Sequence, residues 1–160
     1  GEFLSLAKDK ITDFRLYNLN GIINTIFPLL QAGATVADKS IQLDLEEIPD
    51  LWLDATEIRQ LIINLVRNGL EAMEPRGTIY IQTRKRPTEV ILTVKDEGKG
   101  VEDSIKEKIG TPFFTTKENG TGLGLAICFS IIRRHNARVE IDSDKSGTAF
   151  IIKFNLPEGL

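Results

Sequence analysis

Hydrophobic positions recur every three or four residues along the first periodic segment: Leu19, Ile22, Ile23, Ile26, Leu29 and Leu30. That spacing puts them on one helical face. Asn18 precedes the stripe and can cap it, so a helix is predicted from there to about Asp38. Pro28 falls inside the pattern and is expected to kink or shorten the helix, because proline lacks an N–H and crowds the preceding turn. "IQLDLEE" then alternates apolar and polar, as a half-buried strand does, and "LWL" after Pro49 reads as a second short strand. Asp54 opens the strongest helix of the chain. Glu57, three residues on, gives it a capping-box-like start, and Ile58, Leu61, Ile62, Leu65 and Met73 form its apolar face. "EPRGT" ends it.

Strand alternation follows in "IYIQTRKR" and "EVILTVKD", with "PT" at the turn. "EDSIKEKI" suits one short helix and "GTPFFTTKENGTG" a loop. "GLGLAICFSIIRRH" reads as a helix beginning at glycines, and "RVEIDSD" and "TAFIIKFNL" as a closing hairpin around "KSG". Residues 1–10 look like the end of a helix belonging to something longer. This order of elements predicts an α+β fold in which a helical layer covers one face of a mixed sheet.

With 160 residues the chain suits one domain with a sizeable core. A net charge of -3 argues against a general nucleic-acid or membrane surface. No apolar run is long enough to span a bilayer, and the opening residues carry no secretory signal pattern. A cytoplasmic location is expected, with membrane anchoring of a longer protein left open. The single Cys128 falls in a predicted buried helix and reads as a small core residue; with one His and one Cys a zinc site is not expected.

Three segments carry chemistry. In "NLVRNGLEAM", Asn64 and Asn68 are four apart and share a helix face, joined by Glu71. Such amides either cap neighbouring backbone or, with phosphate oxygens and water, hold a hard cation such as Mg²⁺. The glycine clusters downstream favour the second reading. In "DEGKGV", Asp96 ends an apolar strand, where a carboxylate can accept a hydrogen bond from an exocyclic amine such as adenine N6. Gly98 and Gly100 let the backbone approach a flat ring; the alternative is an ordinary Asp-Gly turn. In "PFFTTKENGTGLGLAI", glycines before a helix expose N–H groups at its positive end, and Lys117 adds a mobile cation. The run is neither a Walker A loop nor a good dinucleotide fingerprint. In "SGTAF", Gly147 gives a hairpin its turn and Thr148 can offer a hydroxyl to a neighbour. His135 reads as structural, and Arg133 and Arg134 as a solvated face. Arg67 either reaches phosphate or pairs with Glu71 four residues on.

Together these segments resemble the ATP-binding catalytic domain of sensor histidine kinases. "NLVRNGLEAM" is similar to the family's N box, "DEGKGV" to its G1 box, "TPFFTTK" to its F box, "GTGLGLAI" to its G2 box and "SGTAF" to its G3 box. The endings "NGLEAM" and "PFFTTK" look most like the nitrogen-regulator and sporulation-kinase branches. The resemblance covers about residues 17–157. It implies a two-layer α/β sandwich, the Bergerat ATP-binding fold, with a mixed, mostly antiparallel sheet covered on one face by about three helices. It divides the chain into a tail of a dimerisation helix and linker, residues 1–16, and a catalytic domain, residues 17–160.

The same resemblance implies roles. Asn68 would ligate Mg²⁺ bridging the ATP phosphates, and Asn64 would position phosphates or metal-bound water. Asp96 would bind the adenine amine with Thr148 close by, and Gly98, Gly100 and Val101 would line the base. Lys117 would reach the γ-phosphate, with Thr116 beside it. Gly120, Thr121, Gly122, Leu123, Gly124 and Leu125 would carry the phosphate-facing segment, and Arg67 would stand in for a cation that some branches carry at the position of Glu71. ATP and Mg²⁺ are the implied cofactors. The phosphoryl acceptor would be a histidine on a dimerisation domain absent from this chain, since His135 lies in no such context. A response regulator would act downstream, and the full-length kinase would be a homodimer. Two other readings compete: a self-contained ATP hydrolase and a nucleotide-sensing or anti-sigma module. Both relatives resemble ExxxN at the helix, whereas Asn64 holds that place here, and an amide takes up no proton at neutral pH.

Overall fold

The computed structural model describes residues 12–98 and 123–158. Within them the order is β1 (Arg15–Tyr17), α1 (Leu19–Val36), β2 (Ser40–Leu45), β3 (Leu51–Leu53), α2 (Ala55–Ala72), β4 (Thr78–Lys85), β5 (Glu89–Lys95), α3 (Leu123–Arg134), β6 (Arg138–Asp144) and β7 (Gly147–Asn155). Five strands form one sheet in the order β2-β4-β5-β7-β6, and β1 pairs with β3 in a separate two-stranded ribbon. Only β2 and β4 run parallel; the other pairs of the large sheet are antiparallel. A parallel pair needs a long crossover, and α2 supplies it. The architecture is the α+β sandwich expected from the pattern. The segments read as a short helix and a glycine-rich loop, and residues 1–10, lie outside the described residues.

Asn18 caps α1, its side chain accepting from the Asn20 N–H. The helix runs on past Pro28 to Val36, so the expected shortening does not occur. Pro28 and Asn24, whose carbonyl loses its usual donor, are both exposed, and water can satisfy that carbonyl. β1 escaped the sequence pattern because none of its three residues is buried, whereas the equally short β3 alternates buried, exposed, buried.

Asp54 caps α2, its Oδ1 accepting from the Glu57 N–H at 3.1 Å. The reciprocal half of a capping box is absent. The Asp54 N–H donates instead to His135 Nε2 at 3.1 Å, and the fully buried Glu57 carboxylate binds the Arg134 guanidinium. Arg134 is therefore no part of a solvated face; Arg133 is exposed. An ionised carboxylate under the helix layer requires such a partner. His135 is held from both sides, since its Nδ1 meets the Ile131 carbonyl at 2.8 Å. Nδ1 thus carries the proton and Nε2 accepts. Burial holds its pKa below the ordinary value, against the opposing pull of the Ile131 carbonyl and of Glu57 and Asp54.

The three helices seal the sheet with one continuous core that includes Ile23, Leu61, Ile62, Leu65, Ile81, Leu92, Ile131 and Ile152. Each such side chain contributes about 1.5–3 kcal/mol by leaving water. Strand alternation sorts the large sheet cleanly. Ile79, Ile81 and Thr83 of β4 and Val90, Leu92 and Val94 of β5 are buried on the helix side.

Candidate functional site

The site gathers where β5 leaves the sheet. Asp96 directly follows β5, continues its helix-facing row and is 7% exposed. Its Oδ1 accepts from the Gly98 N–H at 2.7 Å and the Thr148 N–H at 3.2 Å. Its own N–H donates to the Thr148 carbonyl at 2.9 Å, which extends the β5–β7 pairing by one residue. Two backbone donors fix the orientation of the carboxylate.

Close approach at this point depends on glycines. A Cβ on Gly147, which sits at φ 147°, would lie 1.9 Å from the Asp96 carbonyl oxygen. The glycine read as a turn residue is therefore also a contact residue, and only hydrogen fits there. A Cβ on Gly98 would lie 2.8 Å from the Ala72 carbonyl oxygen. One on Gly69 would lie 3.2 Å from the Asp96 Cβ. Asp96 and Gly98 thus pack against the last turns of α2, the helix that carries the two asparagines.

Asn64 and Asn68 are both half-buried on α2. Asn64 lies beside Cys128 of α3, whose thiol burial pushes up to about 12 against the opposing effect of the Asn64 side chain. Cys128 is the inert core residue its context suggested. Arg67 is exposed on α2. Thr148 is 7% exposed, and its hydroxyl meets the Ser143 hydroxyl at 2.8 Å. Leu123 begins α3, and Gly124 and Leu125 follow in its first turn, half-buried. Gly100, Val101, Thr116, Lys117, Gly120, Thr121 and Gly122 lie outside the described residues.

No cluster of three or more His, Cys, Asp or Glu side chains suited to a metal occurs among the described residues. Two half-buried amides on one helix face, Asn64 and Asn68 of α2, supply hard oxygen donors instead. Such a set fits Mg²⁺, which keeps water and takes phosphate oxygens from its ligand. Sequence reasoning missed Ser143. Its signal was present in "RVEIDSD", where Val139, Ile141 and Ser143 alternate in line.

A mixed sheet under three helices, with an acidic strand end locked against an asparagine-bearing helix, defines a nucleotide-binding α/β sandwich. The chain belongs to the family described as histidine kinase-, DNA gyrase B- and HSP90-like ATPases, whose model matches residues 53–158. Within that family it is a histidine kinase catalytic domain, an ATP-binding module of two-component signalling. It is 35% identical over 158 residues to sporulation kinase C of Bacillus subtilis (strain 168), covering 98% of this chain and 37% of that protein. The catalytic domain of histidine kinase ThkA, nucleotide-free form 2, superposes with a TM-score of 0.82 at 33% identity. That match covers 90% of this chain and 96% of the other. ThkA in complex with the response regulator TrrA gives a TM-score of 0.80 at 31% identity, over 98% of this chain and 46% of ThkA. The chain thus spans well under half the length of the curated relative. No helix among the described residues is long and apolar enough to cross a membrane.

Proposed function

We propose that this domain binds Mg-ATP and donates its γ-phosphoryl group to a histidine on a dimerisation domain outside this chain. The observation that carries the reading is Asp96, buried and oriented by the Gly98 and Thr148 N–H groups against the helix bearing Asn64 and Asn68. A carboxylate has about four acceptor sites, and an adenine N6 amine is the kind of donor it accepts from. Asn68 would give its amide oxygen to Mg²⁺, and Asn64 would orient phosphate oxygens or metal-bound water. When bound, Mg²⁺ neutralises charge on the phosphates. Positioning and charge neutralisation are what phosphoryl transfer asks of a protein. Asn64 also separates this reading from hydrolysis, since its amide accepts no proton from water.

Residues 1–16 would join the domain to its dimerisation helices and residues 17–160 would form the catalytic unit. Gly100, Val101, Thr116, Lys117 and Gly120 to Leu125 would complete the pocket. A response regulator, as in the ThkA complex, would receive the phosphoryl group from the acceptor histidine.

The test is calorimetric titration with a non-hydrolysable ATP analogue, with and without Mg²⁺. One-to-one binding that depends on Mg²⁺ is expected. Asp96→Asn should weaken it about tenfold or more, the worth of a hydrogen bond to a charged group. Equal affinity in wild type and Asp96→Asn would refute the base contact, and Mg²⁺ dependence that survives Asn68→Ala would move the metal elsewhere.

A further inference from the structure

The helix-facing side of the large sheet is built in cross-strand rows. One row joins Thr83, Leu92, Ile152 and Val139, and the next joins Ile81, Val94, Phe150 and Ile141. The row after these changes character. It consists of Asp96 beyond β5, Thr148 on β7 and Ser143 on β6. Three adjacent strands exchange an apolar for a polar side chain at the same end and on the same face. Thr148 and Asp96 are both 7% exposed, and Ser143 is half-buried. A row of three polar side chains on one face at the end of an apolar sheet suits a polar ligand edge.

We propose that Ser143 is a specificity-determining residue of the base site, acting through Thr148 to favour a purine whose N1 is an acceptor. The proposal rests on the ATP reading above. Ser143 Oγ and Thr148 Oγ1 are 2.8 Å apart, and the two residues are direct cross-strand partners. A hydroxyl carries one proton. When Ser143 donates to Thr148, the Thr148 proton turns away from Ser143 and toward the base beside Asp96. The row then reads donor, acceptor: Thr148 O–H to adenine N1, directly or through one water, and Asp96 to adenine N6. Guanine presents the opposite pattern, an N1–H donor and an O6 acceptor, and meets a donor with a donor and a carboxylate with a carbonyl. Ser143 does not touch the base; it sets which way the neighbouring proton points, and a chain of hydroxyls polarises cooperatively.

The experiment compares ADP with 1-deaza-ADP, which lacks N1 but keeps the N6 amine, by calorimetry in wild type, Ser143→Ala and Ser143→Thr. Wild type should prefer ADP by about five- to tenfold, the worth of one hydrogen bond. Ser143→Ala should reduce that preference about threefold or more, with little change in 1-deaza-ADP affinity. Ser143→Thr, which keeps the hydroxyl, should restore it. A preference unchanged in Ser143→Ala, or no preference in wild type, overturns the proposal while leaving ATP binding intact. Parallel loss of both affinities in Ser143→Ala overturns it too, as the mark of a merely structural role. Wild type that binds neither nucleotide overturns the ATP reading and this inference with it.

Discussion

Replacing Arg134 by alanine tests whether the ion pair under the helix layer holds the fold. Glu57 is fully buried, and Arg134 Nε lies 3.1 Å and 3.0 Å from its two carboxylate oxygens, with a further contact from Nη2 to Oε2. Without Arg134 the carboxylate must stay charged and unmatched, or take up a proton. Removing one partner of a buried pair costs about 3–5 kcal/mol. The Arg134 side chain is 32% exposed, so water can reach the gap it leaves, and the lower figure of about 3 kcal/mol is expected. For a chain of this length that is a fall of about 6–12 °C in Tm. Urea unfolding followed by circular dichroism measures it. Glu57→Leu combined with Arg134→Leu should recover much of the loss, because an apolar replacement removes the desolvated charge as well. Nucleotide affinity of the folded protein should not change, since Asn68 lies about 16 Å further along α2. A cost for Arg134→Ala below about 1 kcal/mol, the range of exposed pairs, refutes the reasoning, as does a double variant no more stable than the single one.

Gly147→Ala should destabilise the domain by about 2 kcal/mol or more and weaken nucleotide binding, because φ 147° is strained for alanine and the new methyl meets the Asp96 carbonyl; a stability like wild type in urea would count against the contact. Cys128 should resist iodoacetamide at pH 8 in the folded protein and react on unfolding, since burial pushes its thiol up to about 12; native-state labelling at the rate of a free thiol would contradict this. Stability should fall as pH drops below about 6.5. The folded state keeps His135 neutral and so binds fewer protons than the unfolded chain, and a protonated Nε2 would face the Asp54 N–H, donor to donor. His135→Gln should flatten that limb of the pH–stability curve, and an unchanged slope would rule His135 out as its cause. A second decline should come as pH falls below about 3.9. Burial tends to raise the pKa of Asp54, but bonds from the Asp13, Glu57 and Thr56 N–H groups outweigh it and hold the value low; Asp54→Asn should remove that limb, and its persistence would point to another carboxylate.

Local rules made most of the fold legible. Asn18 and Asp54 announce their helices because a cap acts within three residues, and β4, β5 and β6 announce themselves because period-two burial is written along each strand. What stayed hidden depends on contacts between distant segments. Glu57 looks like half of a capping box until Arg134, 77 residues away, takes its carboxylate and His135 takes the N–H it would have served. Gly147 looks like a turn residue until the Asp96 carbonyl, 51 positions earlier, is found where its side chain would be.

The asparagines and Asp96 stood out in sequence because each interrupts an apolar pattern. Ser143 interrupts one too, but a single serine at the end of a seven-residue strand is unremarked until the register is known. Register turns three separate polar residues into one row, and the row marks where the core stops being a core. Extending the rows inward meets Val94, Phe150 and Ile141, which bar water and a polar ligand alike. The sheet therefore both supports the site and limits its depth: a base edge can advance as far as Asp96, Thr148 and Ser143 and no further. An apolar residue at any one of the three would extend the core outward and leave its polar neighbours without the edge they were placed to meet.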